Sequence, residues 1–109
     1  MIKSGAHRIS PKEIEEIILE HGAVHEAAVI GVEDEILGEA IKACIVLKDG
    51  PSCTNRELLA HCHKHLPLYK VPHHIEFLKE LPKTSSGKIK KVDLKQPLLN
   101  KENKNERQS

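Results

Sequence analysis

Two apolar runs separated by a short polar segment constrain the fold most strongly. They are EAAVIGV at 26–32 and EAIKACIVL at 39–47, and the segment between them ends at Gly38. Each run is apolar at positions that point to both faces of a strand, which is typical of central strands covered on two sides. The pair therefore predicts the middle of a sheet that has protein on each face.

Two helix signals flank these strands. SPKE at 10–13 and TNRE at 54–57 both have the form of a capping box, in which a hydroxyl and a carboxylate cap the first turn. Gly22 and Pro67 are placed to end the two helices. The apolar stripes that follow the boxes are Ile14, Ile17 and Ile18 in the first helix and Leu58, Leu59, Cys62 and Leu66 in the second.

The remaining segments complete an α+β domain. HIEFLKE at 74–80 alternates and predicts a third strand with Ile75 and Phe77 inward. The fold class expected is a small, mainly antiparallel three-stranded sheet with helices packed on it, plus an N-terminal β-hairpin. We expect the domain to span 1–99 and the polar residues 100–109 to form a disordered tail.

The overall composition excludes several function classes. The 109 residues carry a net charge of +1, so no global field favours nucleic acid or an anionic membrane. The apolar runs are too short to span a bilayer, and no signal-peptide core precedes them. Cys44, Cys53 and Cys62 form no C-x-x-C pair, which indicates reduced thiols and a cytoplasmic location.

The segment LPKTSSGKIKK at 81–91 is the strongest candidate site, and it predicts a loop. Its Gly87-Lys88 pair partly matches a P-loop, but Pro82 occupies the first glycine position and Ile89 follows the lysine, which excludes that motif. Two interpretations remain from the residues alone. One is a solvated basic turn, and the other is a flexible arm that carries the Lys88 ammonium to a phosphate or carboxylate.

A histidine cluster, HCHKH at 61–65, is a second candidate site, in this case for a metal ion. His61 and His65 lie four residues apart on a predicted helix, a spacing that suits two metal ligands. However, Cys62 belongs to the apolar stripe, His63 points away from the pair, and no acidic residue sits as in H-E-x-x-H. We therefore expect surface histidines and no metal site.

Three segments in order carry a resemblance to a known family. They are IKSGAHRISPKEIEE at 2–16, LPLYKVP at 66–72 and LPKTSSGKIKK at 81–91. The first is similar to the motif that follows an interdomain hinge, the second to L-P-x-Y-K-V-P, and the third to the P-K-T-x-S-G-K-I motif with a catalytic lysine. Together they resemble the C-terminal domain of the AMP-forming acyl-CoA synthetase superfamily, which also includes nonribosomal peptide synthetase adenylation domains and firefly luciferase.

The resemblance implies the lid domain of an acid–thiol ligase. In this family a large N-terminal domain binds ATP, Mg²⁺ and a carboxylic acid, and the small domain delivers a catalytic lysine, here Lys88, for acyl-adenylate formation. The lid then turns, and a different surface lines the tunnel through which CoA forms the thioester. The residues implied for binding ATP/AMP and CoA are Gly5, Ala6, Arg8, Tyr69, Lys70, His73 and Gly87.

The partners implied are the N-terminal domain, in the same chain or as a separate subunit, a carboxylic acid such as a fatty acid, and CoA. Because the ATP and acyl sites belong to that domain, we expect this chain to be inactive alone. Two alternatives stay open. One is a stand-alone regulatory or binding module of the same fold, and the other is the lid of an adenylation domain that serves a carrier protein.

Overall fold

The computed structural model describes residues 1–50 and 52–94. The elements in these ranges are β1 (Ile2–Ser4), β2 (His7–Ile9), α1 (Pro11–Leu19), β3 (Val24–Asp34), β4 (Gly38–Leu47), α2 (Asn55–His65), a 3₁₀ turn (Leu68–Lys70) and β5 (His74–Phe77). Residues 91–94 add a turn of helix. The predicted tail at 100–109 and the domain boundary at 99 lie outside the described residues.

The antiparallel pair β3 and β4 forms the centre of the sheet, with a register that runs from Val24 opposite Leu47 to Asp34 opposite Gly38. The turn between them is closed by Asp34, whose Oδ1 accepts hydrogen bonds from two backbone N–H groups, those of Ile36 and Leu37, each at 2.9 Å. Asp is favoured in turns because its short side chain can bond to the backbone in this way.

Three shorter strands extend this pair into one five-stranded sheet. The β1–β2 hairpin joins β4 where Ser4 lies opposite Gly38. Strand β5 runs parallel to β4 and pairs with residues 42–45. The predicted α+β class is confirmed, and the N-terminal hairpin is continuous with the sheet.

One face of the sheet is covered by the two helices. Their buried side chains pack on alternate residues of β3 and β4. The helical residues are Ile14, Ile18, Leu58 and Cys62, and the strand residues are Val29, Ile41, Ala43 and Ile45. This aliphatic cluster is the larger part of the core.

The other face is covered by the chain that follows β5. Leu81 and Leu94 are buried there against strand residues that include Ile30 and Cys44, and Ile89 packs at the edge of the cluster. The prediction that both faces of the central strands are covered is therefore confirmed. The second layer is mostly irregular chain. Its sequence has neither helix nor strand periodicity, so the pattern of apolar residues does not predict it.

Two local predictions were wrong. Ser10 forms no side-chain cap on α1, and Glu13, whose carboxylate was expected to complete the box, binds Lys70 instead. Phe77 is 37% exposed, since it ends an edge strand where the neighbouring layer covers it incompletely. The second capping box is formed: the Thr54 N–H donates to Glu57, and the Thr54 hydroxyl accepts from the Glu57 N–H.

Within residues 1–50 and 52–94, no helix is both long and apolar enough to cross a membrane.

Candidate functional site

The segment at 81–91 is folded as a tight hairpin. Lys83 and Ile89 lie opposite each other in an antiparallel bridge, and the Lys90 N–H donates to the Pro82 carbonyl at 2.8 Å. The two ends of the segment are thus held side by side. The predicted loop is confirmed, but its backbone is more regular than that of a flexible arm.

The tip of this hairpin is closed by hydrogen bonds around Thr84. The Thr84 N–H donates to the Lys88 carbonyl at 2.7 Å, and the Lys88 N–H donates to the Thr84 hydroxyl at 3.1 Å. Gly87 has a φ of +89°, which is strained for residues with a Cβ, and its N–H donates to the Thr84 carbonyl. The hydroxyls of Thr84 and Ser86 lie 2.9 Å apart. These contacts fix the backbone of Lys88.

The lysines of the hairpin differ in their partners. Three of them form ion pairs that tie the segment to its surroundings: Lys83 with Glu26, Lys90 with Asp93, and Lys91 with Glu15. Lys88 is exposed and forms no ion pair with any residue of 1–50 or 52–94. A rigid tip therefore presents a cation whose partner can come from outside the domain.

An open cavity of about 440 Å³ lies at the end of the helix-covered layer. It is formed by the β1–β2 turn, the β3–β4 turn, α2 and residues 68–73. The N–H of Gly5 donates to the Leu37 carbonyl at 2.8 Å and so joins the two turns. Gly5 has a φ of +61°, which the two-residue turn requires and which other residues rarely adopt.

Two rings shape the wall of this cavity. Tyr69 stacks on His7, with 4.0 Å between the ring centroids and 17° between the planes. The ring of His73 accepts a hydrogen bond from the Ile41 N–H through Nδ1 at 2.9 Å, and the backbone N–H of His73 donates to the Ile41 carbonyl. Because Nδ1 accepts, the neutral His73 ring carries its hydrogen on Nε2, where it can serve as a donor.

Three of the residues expected to bind cofactor line the cavity together, namely Gly5, Tyr69 and His73. Ala6 and Arg8 are exposed on the same hairpin but are not part of the lining.

Lys70, a further residue expected to bind cofactor, does not line the cavity, because its ammonium group is bound to Glu13 of α1. Its Nζ donates to both oxygens of Glu13, at 2.8 and 3.0 Å. The hydrogen bond to Glu13 raises the pKa of the Lys70 ammonium. Lys70 therefore links the 3₁₀ turn to α1 as a charged group and is engaged within the domain.

The lining also contains residues that the sequence did not single out for binding, among them Leu37, Leu59 and His63. His63 was expected to point away from the pair formed by His61 and His65. Nothing in the sequence indicated that these residues line one cavity. Only the fold shows that they meet.

The cavity and the Lys88 hairpin belong to opposite faces of the sheet. Leu59 and Val71, which line the cavity, pack with the helix-covered cluster. Leu81 and Ile89, which flank the lysine, pack with the cluster on the other face. The domain thus has two separate candidate surfaces, one with a cation that forms no ion pair within 1–50 and 52–94, and one with a concave wall.

Comparisons with known proteins identify the family. The model of the AMP-binding enzyme C-terminal domain matches residues 13–88. The chain is 46% identical over 95 residues to a long-chain-fatty-acid–CoA ligase of Yersinia pestis, a match that covers 87% of this chain and 17% of the relative.

Solved structures agree in fold. An acyl-CoA synthetase of Brucella canis superposes with a TM-score of 0.84 at 40% identity, over 93% of this chain and 19% of that one. ATP-bound MatB of Rhodopseudomonas palustris gives 0.84 at 30% identity, over 87% and 19%. The chain spans about a fifth of the length of these relatives. The chain belongs to the AMP-binding enzyme C-terminal domain family.

Proposed function

We propose that this chain is the C-terminal lid of an AMP-forming acyl-CoA synthetase and that its two surfaces serve the two half-reactions. In the first, a carboxylate oxygen attacks the α-phosphorus of ATP, the bond to pyrophosphate breaks, and an acyl-adenylate forms. In the second, the thiol sulfur of CoA attacks the acyl carbonyl, the bond to AMP breaks, and the thiol proton is lost. The carboxylic acids and CoA in the names of the relatives support this substrate class.

The observation that carries the proposal is the exposed ammonium of Lys88, which has no ion-pair partner among the described residues, on a backbone fixed by Thr84 and Gly87. Adenylate formation brings two anions together and builds charge at phosphorus. A positioned cation lowers that barrier by orientation and electrostatics, without any proton transfer. Lys88 is assigned this role, and Gly87 permits the turn that aims it.

The cavity is assigned to the second half-reaction. The wall at Gly5 carries no side chain, which suits close passage of a narrow pantetheine arm. Tyr69 offers an aromatic face and His73 an Nε2–H donor for the nucleotide part of CoA. Arg8 and Ala6, on the exposed hairpin beside this wall, are assigned to the rim, where Arg8 can meet a phosphate.

The role proposed for Lys70 depends on its partner. Lys70 contributes to phosphate binding only if CoA competes with Glu13 for its ammonium. In the absence of that competition, Lys70 positions the 3₁₀ turn that carries Tyr69.

The remaining chemistry is assigned to the N-terminal domain, which is the proposed partner in the same chain or as a separate subunit. That domain would hold ATP, the acid and Mg²⁺, and the lid would turn between presentation of the hairpin and of the cavity. A cytoplasmic location is proposed because the three cysteines are unpaired and buried. Burial raises the pKa of Cys44 and of Cys62 to about 11, so both remain as thiols.

The Lys88→Ala variant tests this function. The chain is joined to the N-terminal domain of a long-chain-fatty-acid–CoA ligase, and pyrophosphate release and thioester formation from preformed acyl-adenylate are measured separately. Lys88→Ala should slow pyrophosphate release by about 100-fold or more, the cost of losing one transition-state charge contact. Thioester formation should change by much less.

Lys90→Ala is the matched control, since it removes a charge of the same hairpin that is already paired with Asp93. It should leave pyrophosphate release close to the wild-type rate. Wild-type adenylation by Lys88→Ala would reject the catalytic lid and favour a binding module that has lost the chemistry.

A further inference from the structure

Three side chains that could ligate a metal ion lie at the junction of α1 and α2, and none of them lines the cavity or belongs to the Lys88 hairpin. His61 and His65 are one turn apart on α2, and Glu20 follows the last residue of α1. Each offers a ligand atom, and these atoms all lie within 4.8 Å of one another. The sequence of α2 contains only the two histidines, and the acidic residue comes from the end of the other helix.

The packing of the helices explains why these groups meet. Leu58 and Cys62 bury one side of α2, and Ile14 and Ile18 bury one side of α1, in the same core cluster. The exposed ends of both helices are thereby fixed side by side. The rings of His61 and His65 have centroids 4.8 Å apart.

One histidine is already oriented for metal binding. The Nε2 of His61 lies 2.7 Å from the Ile17 carbonyl oxygen, which can only accept, so Nε2 carries the hydrogen and donates. This leaves the Nδ1 lone pair available. A backbone carbonyl that accepts from the second nitrogen is the usual way in which a metal-binding histidine is held in one tautomer and orientation.

A neighbouring histidine is not available as a fourth ligand. His21 accepts from the Ala23 N–H through Nδ1 at 3.2 Å, and its Nε2 lies 3.8 Å from the Cys53 sulfur. Its ring instead packs edge-on against His61, at a centroid distance of 5.4 Å. The group therefore provides three protein ligands, with the remaining coordination positions open to water.

We propose that Glu20, His61 and His65 bind one divalent transition-metal ion of the zinc class. Two imidazoles and a carboxylate suit zinc, cobalt, nickel or copper, and do not suit Mg²⁺. In a tetrahedral zinc site the ligand atoms lie about 3.3 Å apart, since each bond is about 2.0–2.1 Å. Glu20 and His65 are exposed, so rotation of their side chains can close the difference. The bound ion would join the end of α1 to the end of α2.

Metal titration of the 109-residue chain tests the site, after treatment with a chelator and dialysis. Zn²⁺ is titrated by calorimetry, and Co²⁺ by the visible absorption that reports its coordination. One saturable site per chain is expected, together with a rise in melting temperature, because the ion binds only the folded state. Mg²⁺ should produce neither effect.

The variants identify the ligands. His65→Gln and Glu20→Gln should each weaken Zn²⁺ binding by about tenfold or more and remove most of the gain in melting temperature. His63→Gln is the matched control, because His63 lies on the same helix but outside the group, and it should change the affinity by less than about twofold.

Circular dichroism serves to check that each variant is folded. We expect all of them to fold, since the side chains of Glu20, His63 and His65 are exposed. Two results would overturn the proposal. One is the absence of a saturable site in the folded wild-type chain. The other is an equal loss of affinity in His63→Gln and His65→Gln, which would indicate diffuse binding to surface histidines.

Discussion

Lys42 is a charged residue in the middle of a central strand, only 4% exposed, and its Nζ lies 2.6 Å from Glu76 on β5. A charge at such a position must be paired, because water cannot solvate it. It also faces the layer that carries the Lys88 hairpin, since its strand neighbour Cys44 packs there. The pair thus joins β5 to β4 on the face of the sheet that carries the Lys88 hairpin, one of the two candidate surfaces.

Removal of one partner of this pair should be costly. Glu76→Ala leaves the Lys42 ammonium buried without its carboxylate, and we expect a loss of about 3 kcal/mol in the free energy of unfolding. The double variant Lys42→Met with Glu76→Leu should recover most of that loss, because no buried charge remains. Urea unfolding followed by circular dichroism measures both. A loss below about 1 kcal/mol in Glu76→Ala would show that the pair is solvated.

At the scale of elements, the two helices begin in different ways although their first turns have similar sequences. In α2 the Thr54 N–H donates to Glu57, and this hydrogen bond is the main reason why the pKa of Glu57 is lowered. In α1 the corresponding Glu13 is drawn away by Lys70. A local motif predicts a cap only where no stronger partner competes for the carboxylate.

The lowered pKa of Glu57 gives a pH-dependent contribution to stability. Because the folded-state pKa lies below the ordinary value of 4.5, the contribution is complete above that value and is lost as the pH falls through the lowered pKa. The Glu57→Gln variant lacks this titration. We expect the wild-type chain to melt higher than Glu57→Gln at pH 7 and the difference to shrink at pH 3. A difference that does not depend on pH would contradict the assignment.

The elements show what periodicity can and cannot predict. Strands β3 and β4 were found because their apolar residues cover both faces, and α2 because its box and stripe agree. Phe77 was wrongly predicted to be buried, because alternation indicates a face but not how far the covering layer extends. The layer formed by 78–94 was missed because irregular chain has no period.

For the whole molecule, one part of the candidate site could be predicted from the sequence and another part could not. Lys88 could be identified from one continuous segment that resembles a family motif. The cavity could not, since Gly5, Leu37, Leu59 and His73 come from four parts of the chain that meet only when the sheet and helices are assembled. The proposed metal ligands Glu20 and His65 are likewise brought together only by the packing of α1 against α2.

The central claim is that opposite faces of one sheet serve the two half-reactions. The most direct test measures both half-reactions for Lys88→Ala and Tyr69→Ala in the joined protein used above. Lys88→Ala should slow adenylate formation far more than thioester formation. Tyr69→Ala removes the stacked wall of the cavity, and should slow thioester formation by about tenfold while it affects adenylation much less. If both variants slow the same half-reaction to the same degree, the two faces do not have separate roles.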